Sequence, residues 1–269
     1  MKNLATIILG LFLVSPLLLT NCSSDSDVDP GVAPEIPPLS TLVMDFDFTV
    51  EDEGGRTATK ANWGFSVFNV AFWNGAITLT FAIPVASFAE SFNHTPTFDT
   101  DIQGWVWEYD HTVFGAEYQA RLVGKLTTDA VEWDMFITSP GLFTDFNWYS
   151  GTSALDGLSG QWILNQDPTM VKPFIQVDWN RSLSGELADI KYENIAAENI
   201  GNGSSIFFQV DNVGDYDRLY EIFSSTKSNT TEIEWSSTNK NGRIKDFLLF
   251  DDEEYHCWDE NQDDIDCPI

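Results

Sequence analysis

Two carboxylates on one predicted strand are the first residues whose spacing could do chemistry. Glu132 and Asp134 lie two positions apart in the alternating segment Ala130 to Thr138, so a strand would present both on the same face. A pair of carboxylates can serve glycoside hydrolysis, and neighbouring aromatic rings could stack on sugars. The chain contains 42 acidic residues, so same-face pairs also arise by chance. Catalysis by Glu132 and Asp134 and a chance pairing both stay open.

Other catalytic patterns are missing from the sequence. The histidines His94, His111 and His256 form no i,i+4 pair and no metal-type cluster. There is no Gly-x-Ser-x-Gly nucleophile elbow and no phosphate-binding glycine loop. The sequence therefore favours a protein that is not an enzyme.

The C-terminal tail contains a pair of cysteines and a run of acids. Cys257 and Cys267 are expected to form a disulfide if the chain is exported to an oxidising compartment. Asp259, Asn261 and Asp263 have the one-three-five spacing of a calcium loop, so a Ca²⁺ site is one interpretation. Asp264 stands where such a loop has glycine, and no position-twelve glutamate follows, so a solvated acidic loop is the competing one.

Tryptophans recur from one predicted strand to the next. They could form the core under a helical cover, or they could line an open cleft that binds an acyl chain or a glycan ring. The ligand-binding candidates are Trp105, Trp133, Trp148, Trp162 and Trp179.

The charge balance limits the partners. The formal net charge is −29, with 42 acidic against 13 basic residues. Such a surface repels phosphate backbones and anionic headgroups, so we expect no nucleic-acid partner and no membrane attachment through a basic patch.

The N-terminal residues resemble a targeting signal. Residues 1–21 combine Lys2 with a short apolar stretch, as in a signal peptide. Cys22 follows in Leu19-Thr20-Asn21-Cys22, which resembles a bacterial lipobox and implies lipidation of Cys22. Residues 22–40 are polar, acidic and proline-rich, as in a flexible tether, and residues 41–269 are expected to form a single domain.

Period-two alternation predicts strands through most of that domain. The first is expected at Thr41 to Val50, a hairpin is expected around Asp110-His111, and Gly151 is assigned to a loop. Residues 57–92 instead predict one or two helices, broken near Gly75 or at Pro84. The fold class is mainly β (α+β): an antiparallel meander forming a large curved sheet or incomplete barrel, with an N-terminal helical segment packed on one face.

Several stretches resemble one group of proteins. The Cys257-Trp258-Asp259 ending, the Trp63-to-Phe92 block and the Trp162-to-Asn165 run are similar to uncharacterised lipoproteins of Bacteroidota, of flavobacterial type. The serine and acidic residues after Cys22 resemble the surface-export signal of such lipoproteins. The resemblance implies a lipid-anchored outer-membrane protein, either periplasmic or surface-exposed, and brings no activity with it.

The sequence leaves three functional hypotheses. The first is a non-enzymatic binding or structural lipoprotein. The second is a carrier or sensor of a lipid or other hydrophobic ligand, since a curved sheet with a helical lid resembles the half-barrel of lipoprotein carriers. The third is a surface protein that binds or cleaves glycans through Glu132 or Asp134.

Overall fold

A single antiparallel sheet of fourteen strands dominates the structure, a computed structural model that describes residues 30–44, 59–210 and 214–268. Each strand pairs with the next one along the chain, and the sheet stays open, ending at β1 and β14. The strands are β1 Thr97–Asp99, β2 Gly104–Val113, β3 Ala116–Leu126, β4 Ala130–Ser139, β5 Phe143–Ala154, β6 Ser159–Asp167, β7 Met170–Arg181, β8 Leu187–Asn194, β9 Ser205–Val210, β10 Arg218–Ser224, β11 Asn229–Trp235, β12 Gly242–Asp246, β13 His256–Trp258 and β14 Asp264–Ile265.

This meander confirms the predicted fold class but corrects the predicted positions of one turn and one glycine. The β2–β3 turn falls at Phe114 and Gly115, not at Asp110-His111, because these two residues adopt the positive φ angles of 51° and 82° that a tight hairpin requires. Gly151 belongs to β5 and not to a loop. The ring of Trp162 on β6 occupies the space beside it.

Two helices cover one face of the sheet. Helix α1 spans Ala61–Thr80 and α2 spans Ala82–Ser91, and the pair bends by 71° at Phe81. Pro84 explains the break, since its ring would clash with the carbonyl of residue 80 in a continuous helix. The predicted helical segment is therefore confirmed. A third helix, α3, is the single turn Phe247–Phe250.

The helix pair is apolar on nearly all sides. Within the described ranges no single helix is long and apolar enough to cross a membrane. Among the described helices, the bent pair of α1 and α2 meets that length and composition when the two are taken together. The pair rests on the sheet through Val70, Ile77, Phe81 and Phe88, which are all buried in the core.

The chain before the helices also packs into the core. Leu39–Thr41 is a short 3₁₀ helix, and residues 42–44 are not strand, so the described part of the predicted first strand is wrong. The rest of that strand, residues 45–50, lies outside the described residues. Ile36, Leu42 and Met44 are buried. Packing thus begins within the predicted tether, and Val32–Ile269 forms one compact unit.

Tryptophans on the inner face lie directly over glycines of the preceding strand. A Cβ atom added at Gly124 would lie 2.7 Å from the ring of Trp133, and one added at Gly160 would overlap the ring of Trp179. Because glycine has no side chain, a large ring can lie flat against the strand backbone beside it. The same arrangement joins Gly151 to Trp162 and Gly242 to Trp258.

A residue from the far end of the chain caps the N-terminus of α1. The two Asp264 carboxylate oxygens accept hydrogen bonds from the backbone N–H groups of Ala61 (3.1 Å) and Asn62 (3.0 Å), and one also accepts from the hydroxyl of Thr59 (2.6 Å). In return, the backbone N–H of Asp264 donates to the carbonyl of Thr59 at 2.8 Å. A carboxylate at this position satisfies free N–H groups and lies at the positive end of the helix dipole.

Candidate functional site

The tryptophans singled out by sequence belong mostly to the core. Trp133, Trp162 and Trp179 are each at most 1% exposed, and Trp148 is buried among Phe143 and Phe146. Trp105 is partly buried and contacts Phe98 edge-on. The buried rings have no free surface for a ligand while the helices are in place.

An open apolar pocket lies elsewhere, between the C-terminal half of α1 and strands β7 to β10. Its volume is about 390 Å³, within the range of small-molecule sites. Trp73, Ala76 and Thr80 of α1 line one side of the pocket, and residues of β7 to β10 line the other. The apolar lining includes Trp73, Ile77, Phe81, Ile175, Ile206 and Ile222.

Polar groups stand beside the apolar lining. Ser204, Ser224 and Thr226 contribute hydroxyls, and Asn194 contributes an amide. No charged side chain occurs among the described lining residues. The pocket is therefore suited to an apolar chain with an uncharged, hydrogen-bonding head.

One wall of the pocket is rigidly held. Tyr192 stacks on Phe81 with ring centroids 6.4 Å apart, and its hydroxyl donates to the backbone carbonyl of Leu42 at 3.1 Å. Burial raises the pKa of Tyr192 far above its usual value, so the phenol stays neutral. The residues before the helices and the junction of α1 with α2 thus fix this aromatic ring together.

A serine and a histidine meet between α2 and β2, a contact that the sequence does not reveal. Ser87 Oγ lies 2.8 Å from His111 Nε2 and donates to the carbonyl of Ile83 at 2.9 Å. With its proton used there, the serine accepts from Nε2–H, which is the reverse of base activation. Ser87 is fully buried, and among the described residues His111 Nδ1 has no hydrogen-bond partner, so no described carboxylate orients the ring. We interpret this pair as a structural contact.

The predicted carboxylate pair lies on the outer face of the sheet. Glu132 is exposed and Asp134 half-buried, while Trp133 between them points into the core. Asp134 accepts a hydrogen bond from the amide of Asn147 at 3.0 Å. Glu132 pairs in register with Lys125 and Thr152 on the adjacent strands. The two acids share a face, and their catalytic role stays a prediction.

Several polar cavities lie elsewhere on the described strands, and two of them hold a lysine or arginine beside carboxylates. In one, of about 420 Å³, Arg121 lies over the ring of Phe136 and pairs with both carboxylate oxygens of Asp145 at 2.8 and 3.0 Å. In the other, burial and the neighbouring Glu232 raise the pKa of Glu221. Both are lined mainly by polar and charged groups, in contrast to the pocket beside α1.

The C-terminal loop is closed by its cysteines. Cys257 and Cys267 form a disulfide with an S–S distance of 2.07 Å. The carboxylate of Asp259 accepts the backbone N–H groups of Asn261 (2.8 Å) and Asp263 (3.0 Å), and so holds the turn between β13 and β14. Within the described ranges no three His, Cys, Asp or Glu side chains are grouped to hold a metal ion. Calcium binding by Asp259, Asn261 and Asp263 stays a prediction.

Cys22 lies outside the described residues, as do the signal segment and residues 22–29 of the tether. Lipidation of Cys22 and localisation at the membrane therefore stay predictions from the sequence. Comparison with protein-family models, with curated proteins and with solved structures finds no match for this chain.

Proposed function

We propose that this chain is a lipid-anchored envelope protein that binds a hydrophobic ligand in the pocket between α1 and strands β7 to β10. The observation that carries the proposal is the open apolar pocket of about 390 Å³ between α1 and strands β7 to β10. This is the carrier or sensor hypothesis, with the binding site moved from the tryptophans to the isoleucine-lined pocket.

The lining defines the class of ligand. Burial of an apolar chain against Ile77, Ile206 and Ile222 would supply most of the affinity, because apolar surface removed from water contributes roughly 25 cal/mol per Å². The Asn194 amide and the hydroxyl of Thr226 can hydrogen-bond an uncharged head group. A neutral single-chain amphiphile, such as a monoacylglycerol, fits these features.

The test measures binding of the uncharged fluorescent probe N-phenyl-1-naphthylamine to the chain that starts after Cys22, followed by its displacement with a monoacylglycerol. Ala76 lines the pocket from α1, so Ala76→Trp should fill it and weaken probe binding at least about tenfold. The control is Ala71→Trp, which adds the same side chain on the exposed side of the same helix. Equal probe binding by the two variants would contradict the proposal.

The anchor has its own test. If Cys22 is lipidated, cells fed an alkyne-tagged fatty acid should label the wild-type chain and not Cys22→Ser. The labelled chain should fractionate with the outer membrane. Labelling of Cys22→Ser, or a wild-type chain that stays unlabelled, would remove the anchor from the proposal.

A further inference from the structure

Large apolar side chains lie in solvent around the mouth of the pocket. Phe68, Phe72 and Leu79 on α1 and Ile200 in the β8–β9 loop are each between 55% and 87% exposed. We call these four residues the apolar rim. Exposed aromatic and aliphatic side chains grouped at one place mark an interaction surface.

The apolar rim is continuous with the pocket. Leu79 and Ile200 each precede a lining residue, Thr80 and Gly201 respectively. Phe72 contacts the lining ring of Trp73 edge-on, with centroids 5.2 Å apart, and Phe68 stacks on Phe72 at 6.0 Å. The apolar rim therefore borders the pocket along α1 and at Gly201.

The rim segment of α1 lacks the charges that a water-facing helix normally has. No acidic or basic residue occurs between Lys60 and Glu90, although the chain as a whole has a net charge of −29. A helix exposed to water usually places charged side chains on its outer face. The outer face of α1 instead carries Phe68, Phe72 and Leu79.

We propose that the apolar rim docks on a zwitterionic lipid surface and that the pocket takes its ligand from that surface. This rests on the proposed function. A lipid surface is an occupant that both covers the apolar side chains and supplies a hydrophobic ligand to the mouth beside them. The uncharged rim matches a surface without net charge, whereas the acidic remainder of the chain is repelled by anionic lipids.

The experiment measures co-sedimentation of the chain from Ser23 onwards with phosphatidylcholine vesicles. This chain keeps all of Val32–Ile269, the compact unit, and lacks the cysteine that would carry a lipid. The variant combines Phe72→Ser, Leu79→Ser and Ile200→Ser, which change exposed side chains only. We expect the vesicle-binding constant to fall at least about tenfold, because three apolar side chains no longer leave water on docking.

A matched control removes exposed leucines from the hairpins at the opposite ends of the strands. Leu126, Leu155 and Leu183 are between 49% and 94% exposed and lie at the hairpins that point away from the pocket mouth. The combined change Leu126→Ser, Leu155→Ser and Leu183→Ser should leave vesicle binding unchanged. An equal loss in both triple variants would overturn the proposal, because binding would then be nonspecific.

Further outcomes separate docking from ligand binding. A wild-type chain that does not sediment with phosphatidylcholine vesicles overturns the docking proposal. The docking proposal is also overturned if the wild-type chain forms a dimer and the rim variant does not, because a second copy of the chain would then cover the rim. Ala76→Trp should sediment as wild type does, so a failure of the pocket proposal appears in probe binding and a failure of docking appears in sedimentation.

Discussion

In this sheet a glycine on one strand makes room for a tryptophan ring on the next. Replacing such a glycine with alanine adds one methyl group and so tests this packing. A Cβ atom at Gly151 would overlap both the carbonyl oxygen of Gln161 and the ring of Trp162. The carbonyl cannot move without breaking strand pairing between β5 and β6. We expect Gly151→Ala to lower the free energy of unfolding by about 1–3 kcal/mol, as overpacked cores do, measured by urea denaturation.

The control for this change is a glycine with open space around it. Among the described residues, no atom beyond the adjacent residues and the nearby helix backbone lies within 4 Å of a Cβ added at Gly75 in α1. Gly75→Ala should raise stability by about 0.5–1 kcal/mol, because alanine loses less backbone entropy than glycine in a helix. If both changes had the same sign, the glycine-tryptophan pairing would not explain Gly151.

A second residue-scale prediction concerns pH. Burial lowers the pKa of His111 below its usual 6.5, against the opposing fields of Glu90 and Asp110. As the pH falls, His111 is therefore protonated in the unfolded chain before it is protonated in the folded protein. The stability that neutral His111 provides is present above pH 6.5 and is lost as the pH drops through the folded-state pKa of His111.

Thermal melts between pH 8 and pH 5.5 test this sign. The wild-type melting temperature should fall more steeply over that range than that of His111→Gln, which cannot take up the proton. Parallel curves for the two proteins would show that His111 makes no contribution to the pH dependence.

The residue pattern predicted which face of the strand Trp133 occupies, but not which element packs against that face. The alternation of Trp133 with Glu132 and Asp134 correctly placed the ring and the acids on opposite faces. Whether that face is core or cleft depends on where α2 lies, because Phe88 of α2 meets the ring of Trp162 edge-on at 5.6 Å. The sequence did contain a signal for the position of Gly151. A glycine inside a segment of alternating residues indicates that another group approaches the strand backbone closely.

At the scale of elements, α1 depends on a partner that lies 203 positions away in the chain. Without the Asp264 carboxylate, the N–H groups of Ala61 and Asn62 would lose their hydrogen bonds. We expect Asp264→Ala to lower the free energy of unfolding by about 1 kcal/mol, the usual contribution of a helix N-cap, measured by urea denaturation.

The matched control is Asp266→Ala. Asp266 is an exposed acid two residues further along the same loop, so its removal changes the net charge equally. We expect its effect to stay within about 0.5 kcal/mol, as for most surface substitutions. A loss equal to that of Asp264→Ala would assign the effect to charge and not to capping.

The elements themselves were predictable to different degrees. The helix break was expected near Gly75 or at Pro84. It lies at Phe81, in the turn before Pro84, and α1 continues through Gly75 without interruption. The cap was not predictable, because nothing in the sequence around Lys60 indicates that Asp264 approaches it. Likewise, the alternation of residues 41–44 suggested a strand, but Leu42 is buried against the sheet as part of an irregular segment.

At the scale of the whole molecule, a meander is the topology that a sequence predicts best. Consecutive strands such as β4 and β5 pair across a short turn, so alternation and turn residues almost determine the order. The pocket is different, because its lining brings Trp73 of α1 together with Ile175 and Ile222 from distant strands. These residues lie far apart in the sequence, so no local pattern encodes the pocket.

The disulfide connects this long-range packing to the end of the chain. The Cys257–Cys267 disulfide joins residues ten positions apart and closes a loop that contains β14, which carries Asp264 to the start of α1. The amide of Asn62 also donates to the carbonyl of Cys257 at 3.1 Å. Replacing both cysteines by alanine should therefore lower the free energy of unfolding by about 2–3 kcal/mol, mainly because the unfolded chain gains freedom.

Because the disulfide holds the capping residue in place, the two effects should not add. In the chain with both cysteines replaced, β14 is free to fray, and Asp264→Ala should then cost less than it does in the disulfide-bonded chain. A double-mutant cycle by urea denaturation measures this difference, which we expect to reach at least about 0.5 kcal/mol. Strict additivity would mean that β14 stays on α1 without the disulfide, and that the cap forms independently of the bond that closes its loop.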